Sequence, residues 1–109
     1  MDDWVAEVER LRADFLRTSR ERLMELDHDL EQLARDGTDQ ARLKTVHRNF
    51  HRLAGSGSTF GYPDVTDLAR SAERLAWERL KAGRHVDLED VQRLVYAGAA
   101  IRRELEGRA

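Results

Sequence analysis

Two histidines one helical turn apart, His47 and His51, are the residues whose type and spacing most clearly allow chemistry. They lie in the segment HRNFHRLAGSGSTFGY, residues 47–62, in which a helical pattern gives way to small residues. A neutral imidazole can act as a nucleophile, as an acid–base group or as a metal ligand. The chain has no cysteine, which excludes disulfides, thiolate metal sites and a cysteine nucleophile.

His51 is expected at the edge of the buried side of its helix. At about 100° per residue, Phe50 lies near the middle of the apolar stripe, whereas His51 is turned about a right angle away, with His47 on the same flank. The ring of His51 should therefore reach solvent. The sequence shows neither a general base paired with His51 nor a phosphate-binding loop or magnesium site near it.

The small residues after His51 need an explanation, because glycine costs about 1 kcal/mol relative to alanine inside a helix. Gly57 falls on the core-facing stripe, where it would let a neighbouring helix approach closely. Gly55 lies one turn beyond His51 on the solvent side, where a larger side chain would block access to the imidazole. Ala54 and Ser58 lie on the same flank, and their small side chains should also leave the imidazole accessible. A frayed helix end that leads into a turn is the alternative interpretation.

Lys44, Arg48 and Arg52 form a basic ladder along the same helix, at positions i, i+4 and i+8. Like charges at this spacing are mildly destabilising. Such a ladder is most often a solvated face, but beside a histidine it could attract an acidic partner or a phosphoryl group.

A metal site is the competing use of the histidine pair, since two imidazoles at i and i+4 can share one ion. A stable zinc site needs three or four protein ligands, and the flank of His47 and His51 offers no carboxylate within its own helix. His28 and His85 show no ligand spacing. We therefore expect no metal, and interpret His47 as a polar neighbour that tunes the protonation of His51 or contacts a partner.

Helical periodicity extends over nearly the whole chain, and no segment resembles a strand. The apolar positions of the four predicted helices are Trp4, Val8, Leu11, Phe15, Ser19, Leu23, Leu26, Leu30 and Leu33; then Leu43, Val46, Phe50, Leu53 and Gly57; then Leu68, Ala69, Ala72, Leu75, Ala76 and Leu80; and finally Leu88, Val91, Leu94, Val95, Gly98, Ile101 and Leu105. The first helix is longer than the others, so its first turns should overhang or bend. Four such helices with short links predict an all-α fold, an antiparallel up-and-down four-helix bundle, as one domain over residues 1–109.

Capping signals set the helix boundaries. The predicted signals are Asp36-Gly37, with Gly37 in the left-handed conformation, at the end of the first helix; Thr38 or Asp39 before the second; Pro63 at the start and Gly83 at the end of the third; and Asp87 before the fourth.

Overall composition excludes some classes of function. A net charge of −2, from 19 basic and 21 acidic residues, gives no electrostatic footprint for nucleic acid. No run approaches the roughly 20 apolar residues that span a bilayer, and the acidic amino terminus is unlike a secretory signal. We expect a cytoplasmic protein, monomeric by default, that binds neither nucleic acid nor membrane.

The run FHRLAGSGSTFGYPDVTDLARSAERL, residues 50–75, resembles the signature of the histidine-containing phosphotransfer (HPt) domain family. A helical histidine is followed by a leucine, a small-residue segment, a glycine-centred turn and a helix with Leu…Ala…Leu spacing. The matching positions are His51, Leu53, Gly55, Ser56, Gly61, Leu68, Ala72 and Leu75. The motif covers about a quarter of the chain, and the four-helix pattern extends the agreement over nearly all of it.

This resemblance implies that His51 accepts a phosphoryl group from an aspartyl phosphate on a receiver domain, or from a sensor histidine kinase, and passes it to a response-regulator receiver domain. Gly55 would give the partner close approach, and Gly61 would form the turn into the third helix. Structural positions would be Phe50, Leu53 and Leu68. The surroundings of the phosphoryl group would be His47, Arg48, Ala54, Gly55 and Ser58. The receiver would dock over the second helix at Lys44, Arg48, Arg52 and Gly55, and the adjoining face of the first helix would contribute apolar contacts.

The same resemblance implies a phosphoryl carrier rather than an enzyme. The chain would need no cofactor of its own, because the magnesium ion and the acidic cluster of phosphoryl transfer would come from the receiver. One position departs from the family pattern, which usually has a lysine three residues after the histidine, where this chain has Ala54. The nearest basic replacements in sequence are Arg48 and Lys44. The alternative is a helical scaffold or adaptor that binds a signalling partner without phosphotransfer.

Overall fold

The computed structural model describes residues 3–107, which form an all-helical bundle. Four α-helices follow one another: α1 (Asp3–Arg35), α2 (Gln40–Gly57), α3 (Pro63–Lys81) and α4 (Leu88–Gly107). A short 3-10 turn, Ser58–Phe60, links α2 to α3. This part of the chain contains no strand, as predicted. Among residues 3–107, no helix combines the length and the hydrophobicity that a membrane-spanning segment requires.

Most helix ends carry the predicted caps. The side chain of Asp39 accepts a hydrogen bond from the backbone N–H of Arg42 at 3.0 Å, so Asp39 rather than Thr38 caps α2. Pro63 begins α3, and Gly83 follows that helix with φ at +63°. Gly61 makes the turn before α3 with φ at +89°.

The start of α4 is fixed by two carboxylates that bond to each other's backbone. Asp87 accepts from the N–H of Asp90 at 2.8 Å, and Asp90 accepts from the N–H of Asp87 at 3.3 Å. Arg79 of α3 donates two further hydrogen bonds to the Asp90 carboxylate, both 2.9 Å long. The same arginine lowers the pKa of Asp90 below its ordinary value, and this effect outweighs the burial of the carboxyl group.

The predicted apolar stripe of α2 is buried throughout, with Leu43, Val46, Phe50 and Leu53 fully inside the core. The stripe of α1 is buried from Phe15 onward, where the ring of Phe15 stacks on that of Phe60 at 4.9 Å between centroids. Burial of this stripe fixes the rotation of α2 and therefore turns His51 to the surface.

Five of the predicted apolar positions are exposed rather than buried. Trp4, Val8 and Leu11 are exposed because the first turns of α1 extend past the other helices, the overhang that the length of this helix predicted, in a molecule 54 Å long and about 20 Å wide. In α4, Leu88 and Val95 are exposed as well. Val86, which precedes α4 and was not predicted, is buried in their place.

Gly37 also has a different role from the one predicted. Its φ is not positive, so α1 does not end in a left-handed glycine. A β-carbon at position 37 would lie 2.0 Å from the carbonyl oxygen of Val86, whose N–H donates to the Gly37 carbonyl at 2.9 Å. Glycine is therefore required here for the close packing of two loops.

The ends of α2 and α3 that meet near the 3-10 turn are in very close contact. A β-carbon on Gly57 would lie 2.6 Å from Oγ1 of Thr66 and 3.0 Å from two backbone atoms. The Thr66 hydroxyl donates to the Ala54 carbonyl at 2.9 Å and accepts from the Ser58 N–H at 2.8 Å. These contacts confirm that Gly57 permits the approach of a neighbouring helix, and they bring α3 side chains beside His51.

Candidate functional site

His51 lies on the surface of α2 with 69% of its side chain exposed, as its angular position predicted. Phe50 and Leu53, one residue before and two residues after His51, are fully buried and hold the helix in place. The Nδ1 atom of His51 lies 2.9 Å and 3.2 Å from the two carboxylate oxygens of Glu73 on α3. Glu73 is itself largely buried, with 20% of its side chain exposed.

The pairing with Glu73 defines the tautomer of the ring. A carboxylate can only accept hydrogen bonds, so Nδ1 of His51 carries the hydrogen and donates it. In the neutral ring, Nε2 then carries a lone pair. No other residue of the described chain bonds to Nε2. The arrangement presents a nucleophilic nitrogen at the surface and holds the ring from its other nitrogen.

Two aromatic side chains lie beside His51. The His47 ring is stacked on that of His51, with centroids 6.2 Å apart and planes at 16°. Trp77 of α3 contacts His47 at 5.6 Å between centroids and is half exposed. The indole of Trp77 thus forms an apolar patch that only the His47 ring separates from His51.

Two shallow depressions between α2 and α3 meet at His51. The first, termed the basic groove, is lined by Gln40, Lys44, His47, Arg48, His51, Trp77, Leu80 and Lys81. The second, termed the histidine cleft, is lined by His47, His51, Arg70, Glu73, Arg74 and Trp77. Both therefore place cationic side chains near the exposed imidazole.

The structure distributes the predicted site residues unevenly. His47, Arg48 and Lys44 line the basic groove together with His51. A β-carbon on Gly55 would have no heavy atom within 4 Å, so the space above this position is open.

Other predicted positions lie outside both depressions. Ser58 and Arg52 are exposed and line neither of them. Ala54, predicted on the open flank, is buried with 6% exposure. A methyl group this deeply buried contributes almost no surface around the ring.

The basic character of this side extends to α1 through Arg22. Partial burial lowers the pKa of Arg22 from its ordinary value, and the nearby guanidinium of Arg52 lowers it further. The repulsion shows that the end of the basic ladder on α2 lies close to another cation.

The α3 residues of the site were not predicted: Glu73, Trp77, Arg70 and Arg74. Their spacing of three, four and seven residues indicates one shared helix face. It does not indicate that this face adjoins His51, which lies 22 residues from Glu73. Within residues 3–107, no group of three or more histidine, aspartate or glutamate side chains is arranged to hold a metal ion.

Comparison with known proteins identifies the family. The model of the Hpt domain matches residues 10–107, nearly the whole chain. No curated protein and no solved structure matches this chain. The family match, the helical bundle and the exposed histidine on α2 agree with one another. The chain therefore belongs to the Hpt domain family, whose members are histidine phosphotransfer modules of phosphorelays.

Proposed function

We propose that His51 is the phosphoacceptor of this phosphotransfer module. The observation that supports it best is the exposed ring whose Nδ1 donates to Glu73, because this hydrogen bond directs the lone pair of Nε2 to solvent. His47 is less exposed, and its ring is covered by Trp77 on one side. Of the two histidines of α2, His51 is thus the more accessible nucleophile.

The proposed step needs only the imidazole and a phosphorylated partner. Nε2 attacks the phosphorus of an aspartyl phosphate on a receiver domain, the N–P bond forms, and the P–O bond to the aspartate breaks. The partner recovers its carboxylate. No proton has to leave His51, since the hydrogen on Nδ1 stays in its bond to Glu73. In the reverse direction, the ring departs as a neutral imidazole, which makes it a good leaving group.

Glu73 acts as a positioning residue and as a counter-ion. Phosphorylation at Nε2 gives the ring a positive charge, and the carboxylate already in contact with Nδ1 compensates that charge. The partner, rather than this chain, supplies the magnesium ion and the acidic cluster. The protein is thus a carrier whose site is completed by the receiver.

The partner is proposed to dock over α2 and the adjoining edge of α3. Trp77 and Leu80 provide apolar contact in the basic groove, and Lys44 and Arg48 face the acidic pocket of a receiver. Arg52, exposed on the same helix, contributes to steering. Open space above Gly55 lets the partner's active site reach the imidazole.

For the scaffold that holds this site, we propose one domain with the helices antiparallel and up-and-down. Short links support this arrangement. Contacts near both ends of the helices support it as well: Val86 bonds to Gly37, Ser58 bonds to Thr66, and Arg102 forms an ion pair with Asp27 at 2.9 Å.

The direct test measures the intact mass of the protein after mixing with a phosphorylated receiver and magnesium. The wild-type chain should gain one acid-labile phosphoryl group. His51→Gln should gain none while keeping its helicity and melting temperature, and the matched control His47→Gln should still be labelled. If His51→Gln were labelled, the assignment of the phosphoacceptor would be wrong. No labelling of the wild type by several receivers would favour the scaffold function.

A further inference from the structure

Two arginines of α3, Arg70 and Arg74, line the histidine cleft together with His51 and Glu73. Both are exposed, and neither forms an ion pair with any residue between positions 3 and 107. Glu73, the carboxylate that lies between them in sequence, is engaged by His51 instead. Two guanidinium groups are thus available beside the reactive ring.

The register of α2 against α3 places these arginines around the level of His51. Three contacts define it: the His47 ring meets Trp77, His51 meets Glu73, and the Ser58 N–H meets Thr66. The same register puts Arg70 level with Ala54, one turn beyond His51. It puts Arg74 level with Phe50.

The histidine cleft itself is an open depression that both arginines line together with the ring. Ala54 is small and buried, and a β-carbon on Gly55 would meet nothing within 4 Å. A guanidinium on the long side chain of Arg70 can therefore approach a group bound to Nε2 without displacing α2. Arginine suits this role, because its planar donors bond to phosphate oxygens in pairs.

The charges of the cleft fit a phosphoryl group. Before phosphorylation, two guanidinium groups and one carboxylate surround a neutral ring, which leaves an excess of one positive charge. Phosphorylation adds a phosphoryl group with a charge approaching −2 and makes the ring cationic. The cleft then balances to zero, whereas without the arginines it would keep two uncompensated negative charges.

From this juxtaposition we infer that Arg70 and Arg74 bind the phosphoryl group of phosphorylated His51, an inference that rests on the proposed function. Lys44 and Arg48 line the basic groove, on the His47 side of the ring, and serve the partner instead. The phosphoryl group on α2 is thereby bound by guanidinium groups of the adjacent helix α3.

The test uses phosphoramidate, a small donor that requires no partner protein. Nε2 of His51 attacks its phosphorus, the bond to the amine breaks, and ammonia leaves. The phosphorus resonance of the labelled full-length chain is then followed by NMR as a function of pH, with His51→Gln to assign the signal. We compare the wild type with Arg70→Gln, with Arg74→Gln and with the double variant. Arg52→Gln is the matched control, since it removes the same charge beside His51 but outside the cleft.

Cations favour the dianionic phosphoryl group, so their removal should raise its pKa. We expect a rise of about one pH unit in the double variant and a smaller one in each single variant, with little change in Arg52→Gln. A labelled double variant with the wild-type titration would overturn the inference and leave His51 as phosphoacceptor. An equal rise in Arg52→Gln would also overturn it, because net charge alone would then explain the effect. Failure to label the wild type would refute the proposed function, and this inference with it.

Discussion

Gly55→Ala and Gly57→Ala are expected to change the free energy of unfolding in opposite directions, although the two glycines are only two residues apart on one helix. A β-carbon on Gly55 meets no heavy atom within 4 Å. The substitution therefore adds only helix propensity, a gain of about 0.5–1 kcal/mol in the free energy of unfolding. For a chain of this length, that gain raises the melting temperature by about 2–4 °C.

A β-carbon on Gly57 instead lies 2.6 Å from Oγ1 of Thr66 and 3.0 Å from the Thr66 nitrogen and the Tyr62 oxygen. The hydroxyl cannot rotate away without losing its bonds to Ala54 and Ser58, worth about 1 kcal/mol each. The alternative, separation of α2 and α3, costs about 1–3 kcal/mol. After the gain in helix propensity of about 0.5–1 kcal/mol is subtracted, we expect a loss of about 1–1.5 kcal/mol and a melting temperature lower by about 4–6 °C.

Urea unfolding followed by circular dichroism measures both changes in the same buffer. Thr66→Ala provides the control, because it removes the hydroxyl with which the new β-carbon of Gly57→Ala would clash. The double variant Gly57→Ala with Thr66→Ala should lose less stability than the sum of the two single changes, with a coupling of at least about 0.5 kcal/mol. Should Gly57→Ala stabilise the domain as much as Gly55→Ala does, close approach of α3 would not be the reason for the glycine.

Three further predictions concern the site and the support of α4. Gly55→Leu should leave the melting temperature at or above that of the wild type, because leucine also favours the helix, but should slow transfer from a receiver at least about ten-fold, since a large side chain would stand over the histidine. An unchanged rate in stopped-flow or quench assays would argue against close approach. Glu73→Gln keeps the size of the side chain but removes the counter-ion, so the phosphorylated fraction at equilibrium with a receiver should fall about five-fold. The exposed Glu78→Gln serves as its control, and equal effects of the two would exclude a specific role. Arg79→Met should destabilise the domain by about 2 kcal/mol at pH 7, because it leaves the buried Asp90 carboxylate without its partner. Since the pKa of Asp90 lies below its ordinary 3.8, this stabilisation is present above that pH and is lost as the pH falls through the lower, folded-state value; a difference between wild type and variant that persisted unchanged at pH 2 would contradict it.

Several features of the fold were predictable because they depend on residues close in sequence. Asp39 and Asp87 cap helices through bonds that span three residues, and Gly61 and Gly83 adopt positive φ within single turns. The apolar stripe of α2 sets which of its sides is buried, and the exposure of His51 follows from its angle to that stripe.

Other features were not predictable, because they depend on where each element ends relative to its neighbours. The length of α1 predicted an overhang, but its apolar stripe continues to Trp4 and does not indicate that burial begins only at Phe15, where the chain of the 3-10 turn reaches the helix. Gly37 has the sequence context of a helix terminator, but its conformation is ordinary and its small size serves the packing against Val86.

The sequence by itself therefore determined the helices, most of their caps and the presence on α2 of one exposed histidine that is followed by small residues. The tertiary structure alone decided what surrounds that histidine. Glu73 is 22 residues away from His51, and the two meet only because the contact of Gly57 with Thr66 sets the register of α2 against α3. Periodicity shows which face of a helix is buried, but not how far the helix is shifted along its axis relative to its neighbour. That axial position is what brings the Glu73 carboxylate to the His51 ring.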